Sequence, residues 1–288
     1  MTPIAFLRRQ LRNPQLALQR LALYVILSII ALLIILPLLW MLSTSLKPKS
    51  DWFLPQIYWI PRTITWDNYQ KILDNPTLPI ARWFLNSIFV SSMTTLLILV
   101  VDSAAAYAYA RMEFRGKRLL YGLLLATLFL PGIMFLVPNF LTVANLGLLN
   151  SYAGVIVPGL AGVFGVFFMR QFFESLPREL EEAAYIDGAT RFQTFLFIAL
   201  PLSKPALATL GIITFLGSWN DFLWPLLILR DRELLTLPPG LRTLQGAYTS
   251  EYGQMMAGAV ITSIPVLLLY VMLQRYVVES VQTAGLKG

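Results

Sequence analysis

The 288-residue chain contains no cysteine and no histidine. The first absence excludes disulfides and thiolate metal sites; the second excludes imidazole acid–base catalysis and histidine-ligated metals. Charge is scarce as well. Charged residues make up 13% against 57% hydrophobic, and the mean hydropathy of +0.67 lies outside the soluble globular range. There is no Gly-x4-Gly-Lys-Ser/Thr loop, so the chain has no phosphate-binding loop with which to hydrolyse ATP. No two carboxylates share a plausible site either, and no catalytic or metal-binding residue is assigned. The acids that do cluster (Glu174, Glu179, Glu181, Glu182 and Asp187) read as a solvated helix face.

What the chain has instead is long uncharged stretches. Charges are missing from 21–46, 83–101, 119–169 and 252–274, each near or beyond the ~20 apolar residues that cross a bilayer. The run 119–169 is long enough for two crossings, with turn chemistry at Pro138-Asn139 and from Asn145-Leu-Gly147 to Asn150-Ser151. A further span, 205–229, is interrupted by Asp221. The expected architecture is all-α and integral to the membrane: one domain over 1–288 with six transmembrane helices. These fall at about 21–46, 83–110, 119–141, 152–173, 205–229 and 252–276, with a cytoplasmic loop at 174–204. The first run is too long for a cleavable signal core and no small-x-small site follows it, so it reads as a retained helix. Gly159, Gly162 and Gly165 lie inside an apolar span with no preceding strand, which favours close helix packing, as do Ala104 and Ala108.

Orientation follows from lysine and arginine. With both termini inside, cytoplasmic segments hold Arg8, Arg9, Arg12, Arg20, Arg111, Arg115, Lys117, Arg118, Arg170, Arg178, Arg191, Lys204, Arg275 and Lys287, fourteen of the 22 positives. The net charge of +7 is therefore read as flanking positives at a lipid bilayer surface, not as a nucleic-acid face.

Between the fourth and fifth spans runs Pro177-Arg-Glu-Leu-Glu-Glu-Ala-Ala-Tyr-Ile-Asp-Gly188-Ala-Thr190. Proline near a helix start, acids in its first turn and glycine at its end predict a short polar helix and a turn. An apolar set (Phe192, Phe195, Leu196, Ala199) then resumes helical spacing before Leu200-Pro201. The spacing Glu182-Ala183-Ala184, three residues, Gly188, nine residues, Ile198-x-Leu200-Pro201 resembles the loop signature of ABC importer membrane subunits, without departure. The resemblance implies that this elbow is a coupling helix seated in a cytoplasmic ATPase subunit. Glu181, Glu182, Ala183, Ala184, Asp187 and Gly188 are the coupling residues it marks. It also implies two ATPase subunits that bind ATP and Mg, a second permease subunit (a different chain), and an extracytoplasmic solute-binding protein. This chain itself would hold no cofactor and would lie in a bacterial or archaeal plasma membrane.

Three further stretches are similar to the carbohydrate-uptake, maltose-type branch of that family. They are Ala105-Ala-Tyr107-Ala-Tyr-Ala-Arg111, Gly147-Leu-Leu-Asn-Ser151, and the end from Leu237-Pro-Pro-Gly to Ala284-Gly-Leu-Lys-Gly288. The patch Ser218-Trp219-Asn220-Asp221-Phe222-Leu223-Trp224-Pro225 also resembles a segment of sugar-importer permeases. A buried acid in lipid faces a bundle interior or a wet path. Trp219, Asn220 and Asp221 are thus candidates for the substrate path, with simple interhelical packing the alternative. Asp102, about 13 Å along the helix from Arg111 at 1.5 Å per residue, is expected to be a hydrogen-bonded structural acid. Two other classes stay open at this point, an ion-coupled secondary transporter and a non-transporting membrane scaffold. The first would call for an inverted repeat and acids in both halves.

Overall fold

The computed structural model describes residues 14–52, 56, 58–160, 162–243 and 251–285, with side chains from residue 18 to 272 within those ranges. Arg8, Arg9, Arg12 and Lys287, on which the orientation partly rests, lie outside them. Among the described residues all regular structure is helical. The helices are α1 (Pro14–Ser45), α2 (Asp67–Leu73), α3 (Ile80–Arg111), α4 (Lys117–Ala126), α5 (Leu136–Asn145), α6 (Tyr152–Ile156) and α7 (Val163–Ser175). They continue with α8 (Glu179–Ile186), α9 (Arg191–Thr194), α10 (Leu200–Leu202), α11 (Lys204–Trp219), α12 (Leu223–Ile228), α13 (Leu237–Arg242) and α14 (Tyr252–Gly285).

Helix is what an apolar environment demands, because each backbone N–H and C=O must be satisfied within its own segment. Three helices are long and apolar enough to cross a membrane alone: Leu18–Ser45, Ile80–Arg111 and Tyr252–Met272. Three bent pairs raise the number to six if each is one span. They are Lys117–Phe129 with Gly132–Asn145 (103°), Tyr152–Gly159 with Val163–Ser175 (48°), and Arg191–Leu202 with Lys204–Trp219 (78°).

The breaks do not fall where the turn residues point. Pro138 sits in the first turn of α5, where a missing N–H is harmless. The bend comes instead at Leu130-Pro131. A residue before proline is driven out of the α region, and Leu130 is extended at φ −89°, ψ 125°. The expected span 205–229 is also divided. The helix that contains most of it ends at Trp219, and α12 restarts after Phe222. The Asn145–Ser151 turn lies where expected, with Gly147 at φ 70° and Asn150 at φ 57°.

The chain divides into two compact units, Met1–Ile72 with Ser250–Ile261, and Leu73–Thr249 with Thr262–Gly288. In the first, α1 leaves its apolar stretch wholly uncovered. Polar contacts collect just past its end. Asn68 donates to the carbonyls of Ser45 (2.8 Å) and Lys47 (2.9 Å), and Tyr69 meets the Ser45 hydroxyl. The Lys47 ammonium lies 4.1 Å from the Trp40 ring centroid. Burial there lowers the Lys47 pKa from its ordinary value, against the opposing pull of Asp51. Gly253 packs so tightly that a Cβ would fall 2.4 Å from Trp52.

The second unit is built around α3. Its buried face (Ala106, Tyr107, Ala110) packs on Val166, Met169 and Phe173 of α7 and on Ala206 and Leu210 of α11. The small pair that packs is therefore Ala106 and Ala110; Ala104 is exposed. Gly165 does allow a close approach, since a Cβ there would lie 1.9 Å from Asp102 Oδ2. Asp102 is 1% exposed, and its carboxyl is wedged between Gly162 and Gly165. Among the described residues the Gly162 amide is its one backbone donor, in a loose geometry, so the expected structural acid is buried and weakly hydrogen-bonded.

At the opposite end of α3, Trp83 Nε1 donates to the Arg232 carbonyl (2.6 Å) and Asn86 donates to the carbonyls of Glu233 and Leu235. Asn150 clasps the same loop. Its Oδ1 accepts from the Arg230 and Asp231 amides, its Nδ2 reaches the Asp231 carboxylate, and its own amide donates to the Ile228 carbonyl.

Candidate functional site

The elbow is assembled from local signals. Helix α7 stops at Leu176, extended ahead of Pro177. Glu179, Glu181 and Glu182 fall in the first turn of α8, where carboxylates complement the partial positive charge of a helix start. The far end closes by two nested bonds: the Gly188 amide donates to the Tyr185 carbonyl (3.1 Å) and the Ala189 amide to the Ala184 carbonyl (2.9 Å). That closure requires a left-handed residue, and Gly188 supplies it at φ 86°. Two residues on, Thr190 and Gln193 form a reciprocal capping box that starts α9. A π turn over Phe195–Ala199 leads into α10.

Helix α8 has two faces. Glu182, Ala183, Asp187 and Gly188 are exposed, together with Glu179. Beside them stand Leu180, Tyr185, Ile186 and Phe192, with Ile186 86% exposed. Leu180, Ala183 and Ile186 share one side of the helix by spacing, so this is an apolar strip edged by acids. Such a surface on a short helix is unusual unless something covers it.

Ala184 and Glu181 face the other way. Glu181 is not the solvated acid the sequence suggests: it is 6% exposed and lies against α3. Its Oε1 is 2.8 Å from Arg111 Nε, as an ion pair without an aligned hydrogen bond, and its Oε2 accepts from the Tyr107 hydroxyl at 3.2 Å. Arg111 Nη2 also donates to the Leu176 carbonyl at 2.7 Å. The six marked elbow residues therefore split, four outward and two inward. Sequence reasoning overlooked Tyr107 and Arg111. Their signal was the four-residue spacing that puts both on one side of α3 at its charged end.

The polar patch also separates into roles. Trp219 is fully buried, stacked on Phe215, edge-on to Phe84, and donating through Nε1 to the Thr262 carbonyl. Asn220 is exposed and closes α11 by donating to the Leu216 carbonyl. Asp221 alone reaches a cavity, of about 320 Å³, shared with Thr94, Asn139, Thr214, Ser218 and Trp224. Its Oδ1 accepts from the Trp224 amide at 3.3 Å and so caps α12. A larger cavity, about 730 Å³, lies beside Tyr109, Lys117, Tyr121 and Arg170. Its Lys117 and Arg170 are already paired, with Glu113 and Glu174.

Residues 103–283 match the family model described as binding-protein-dependent transport system inner membrane component. The arabinooligosaccharides transport system permease protein of Bacillus subtilis is 34% identical over 278 residues, spanning 96% of this chain and 99% of the relative. The trehalose transport system permease protein of Mycobacterium tuberculosis is 34% identical over 258 residues, 88% of this chain and 93% of the relative. A solved bacterial ABC transporter involved in the import of the acidic polysaccharide alginate superposes with a TM-score of 0.82 at 26% identity, over 92% of this chain and 98% of that one.

Proposed function

The chain belongs to the family of inner-membrane components of binding-protein-dependent transport systems, and from that premise we propose that it is the permease subunit of an ATP-driven carbohydrate importer. The observation that carries the coupling role is the exposed strip of the elbow, apolar at Leu180 and Ile186 of α8 and at Phe192 of α9, and acidic at Glu179, Glu182 and Asp187. It has the chemistry of a docking surface for a soluble partner. One of two ATPase subunits, which bind the ATP and Mg that this chain has no loop for, seats on it. A second permease subunit completes the path, and a solute-binding protein delivers the cargo from outside. Both termini face the cytoplasm. Relatives named for arabinooligosaccharides and trehalose support a carbohydrate cargo.

Asp221 and the cavity it lines with Thr94 and Ser218 form part of the path in this reading. Trp219 braces that segment from the buried side, and Asn220 closes the helix that leads to it. ATP binding closes the ATPase pair, the elbow moves with it, and the bundle alternates between inward and outward openings.

The reading is tested by co-expression with a candidate ATPase and binding protein. The complex should co-purify and import the sugar only when ATP is present, and Glu182→Lys should release the ATPase. Uptake driven by a proton or sodium gradient without any ATPase would establish the secondary-carrier reading instead. ATPase binding undisturbed by Glu182→Lys and by Ile186→Asp would remove the elbow's assigned role.

A further inference from the structure

An elbow that merely docks does not move a bundle; its displacement has to be carried into a span. The flanking connections are poor carriers. On one side lies the extended Leu176-Pro177 link, on the other the left-handed Gly188, so the helical hydrogen-bond ladder is interrupted at both ends of α8. The contact that bypasses them is the buried cluster of Glu181, Arg111 and Tyr107.

Arg111 is the last residue of α3, and its guanidinium holds two things at once. Nε pairs with the Glu181 carboxylate in the first turn of α8, while Nη2 bonds the Leu176 carbonyl at the end of α7. Tyr107, one turn back, reaches the second carboxylate oxygen, and its ring packs on Phe173 and Phe195. The Arg111 and Glu181 side chains are 6% and 8% exposed, so water and salt do little to screen them. Separating the pair would strand two buried charges, which is strongly unfavourable. Elbow and span end are thus obliged to travel together.

We propose that Arg111 and Glu181, steadied by Tyr107, form the strut that transmits displacement of the elbow to the α3 span. This rests on the elbow being the docking element, and assigns both residues as positioning residues for transport. Glu182 meets the ATPase; Glu181, beside it in sequence, carries the motion inward.

The test uses the complete transporter in proteoliposomes and reads sugar imported per ATP hydrolysed, with ATPase association measured in parallel. Glu181→Gln keeps shape and the acceptor for Tyr107 but removes the charge. Arg111→Lys keeps the charge but cannot grip both partners from one planar group. Both variants should insert and bind ATPase, yet import at least about five-fold less sugar per ATP than the native protein, the lower end of typical coupling strengths. The double variant should lose little more than the worse single one, because both changes break one contact. Should Glu181→Gln fail to insert, Arg111→Lys decides alone. A native import-to-hydrolysis ratio in the variants that insert overturns the strut, and so does a loss that merely follows weakened ATPase binding. Glu182→Lys distinguishes the two levels of the argument. If it and Ile186→Asp both leave ATPase association intact, the docking role itself fails. If it abolishes association while Glu181→Gln couples normally, only the strut fails.

Discussion

Gly188 and Gly165 show two different reasons for lacking a side chain. At Gly188 there is empty space around a would-be Cβ but φ is 86°, so the constraint is conformational. A β-branched residue there costs about 1–2 kcal/mol or more in the left-handed region, while asparagine tolerates it. Gly188→Val should therefore lose transport and weaken ATPase association with normal insertion, and Gly188→Asn should be the mildest replacement. Uptake assays with quantified expression check this ranking. At Gly165 the backbone is ordinary and the space is full, with Asp102 Oδ2 at 1.9 Å from a would-be Cβ. Gly165→Ala should destabilise by about 1–3 kcal/mol through overpacking. Adding Asp102→Ala should recover much of that loss, measured as thermal stability in detergent. The first glycine was legible in the sequence because a helix-end pattern is local. The second was legible only as a packing glycine, since its partner is sixty-three residues away in the chain, at 102. Glu181 was misread for a similar reason. Five acids within fourteen residues look solvated until α3 presents Arg111 to one of them.

The elements were legible in kind more than in detail. Long uncharged runs marked the spans, and Pro177, the first-turn acids and Gly188 marked the elbow helix, whereas the Thr190–Gln193 capping box beyond it was not read. The internal bends were harder, because a proline acts through its position: Pro138 opens a helix, whereas Pro131 extends Leu130 and turns the chain by 103°. The break after Trp219 was signalled by Asn220-Asp221, but only packing revealed that the tryptophan points away from the cavity and the aspartate towards it. At this scale the expectation concerns accessibility. In a chain with no native cysteine, Asp221→Cys and Thr94→Cys should react with small water-soluble thiol reagents. Their rates should change when ATP analogues trap one state of the complex, and a cysteine at Leu210, fully buried in the core, should stay inert. Equal protection at 94 and 221 in every trapped state, with Asp221→Leu importing normally, would make the segment a packing element.

As a whole the molecule is incomplete by design. The apolar stretch of α1 is uncovered on every side, which suits lipid or a companion chain and nothing aqueous. The membrane class was therefore readable from composition alone, whereas partners entered only through a motif whose meaning lies in other proteins. One consequence is direct: purified alone, this chain should show no saturable ATP hydrolysis, because it has no phosphate-binding loop. Measured turnover in a preparation cleared of contaminating ATPases would contradict that.

The clasp formed by Asn150 bears on kinetics. Residues 228–231 are fastened by one side chain and its backbone in a left-handed conformation, and Trp83 and Asn86 hold the loop immediately after them. In the proposed orientation this loop faces outward, where a cargo-bearing protein arrives. A segment already frozen has no ordering cost left to meet during an encounter. Arrival should then be limited by diffusional encounter, and stopped-flow binding should show a single concentration-dependent phase with no slow ordering step.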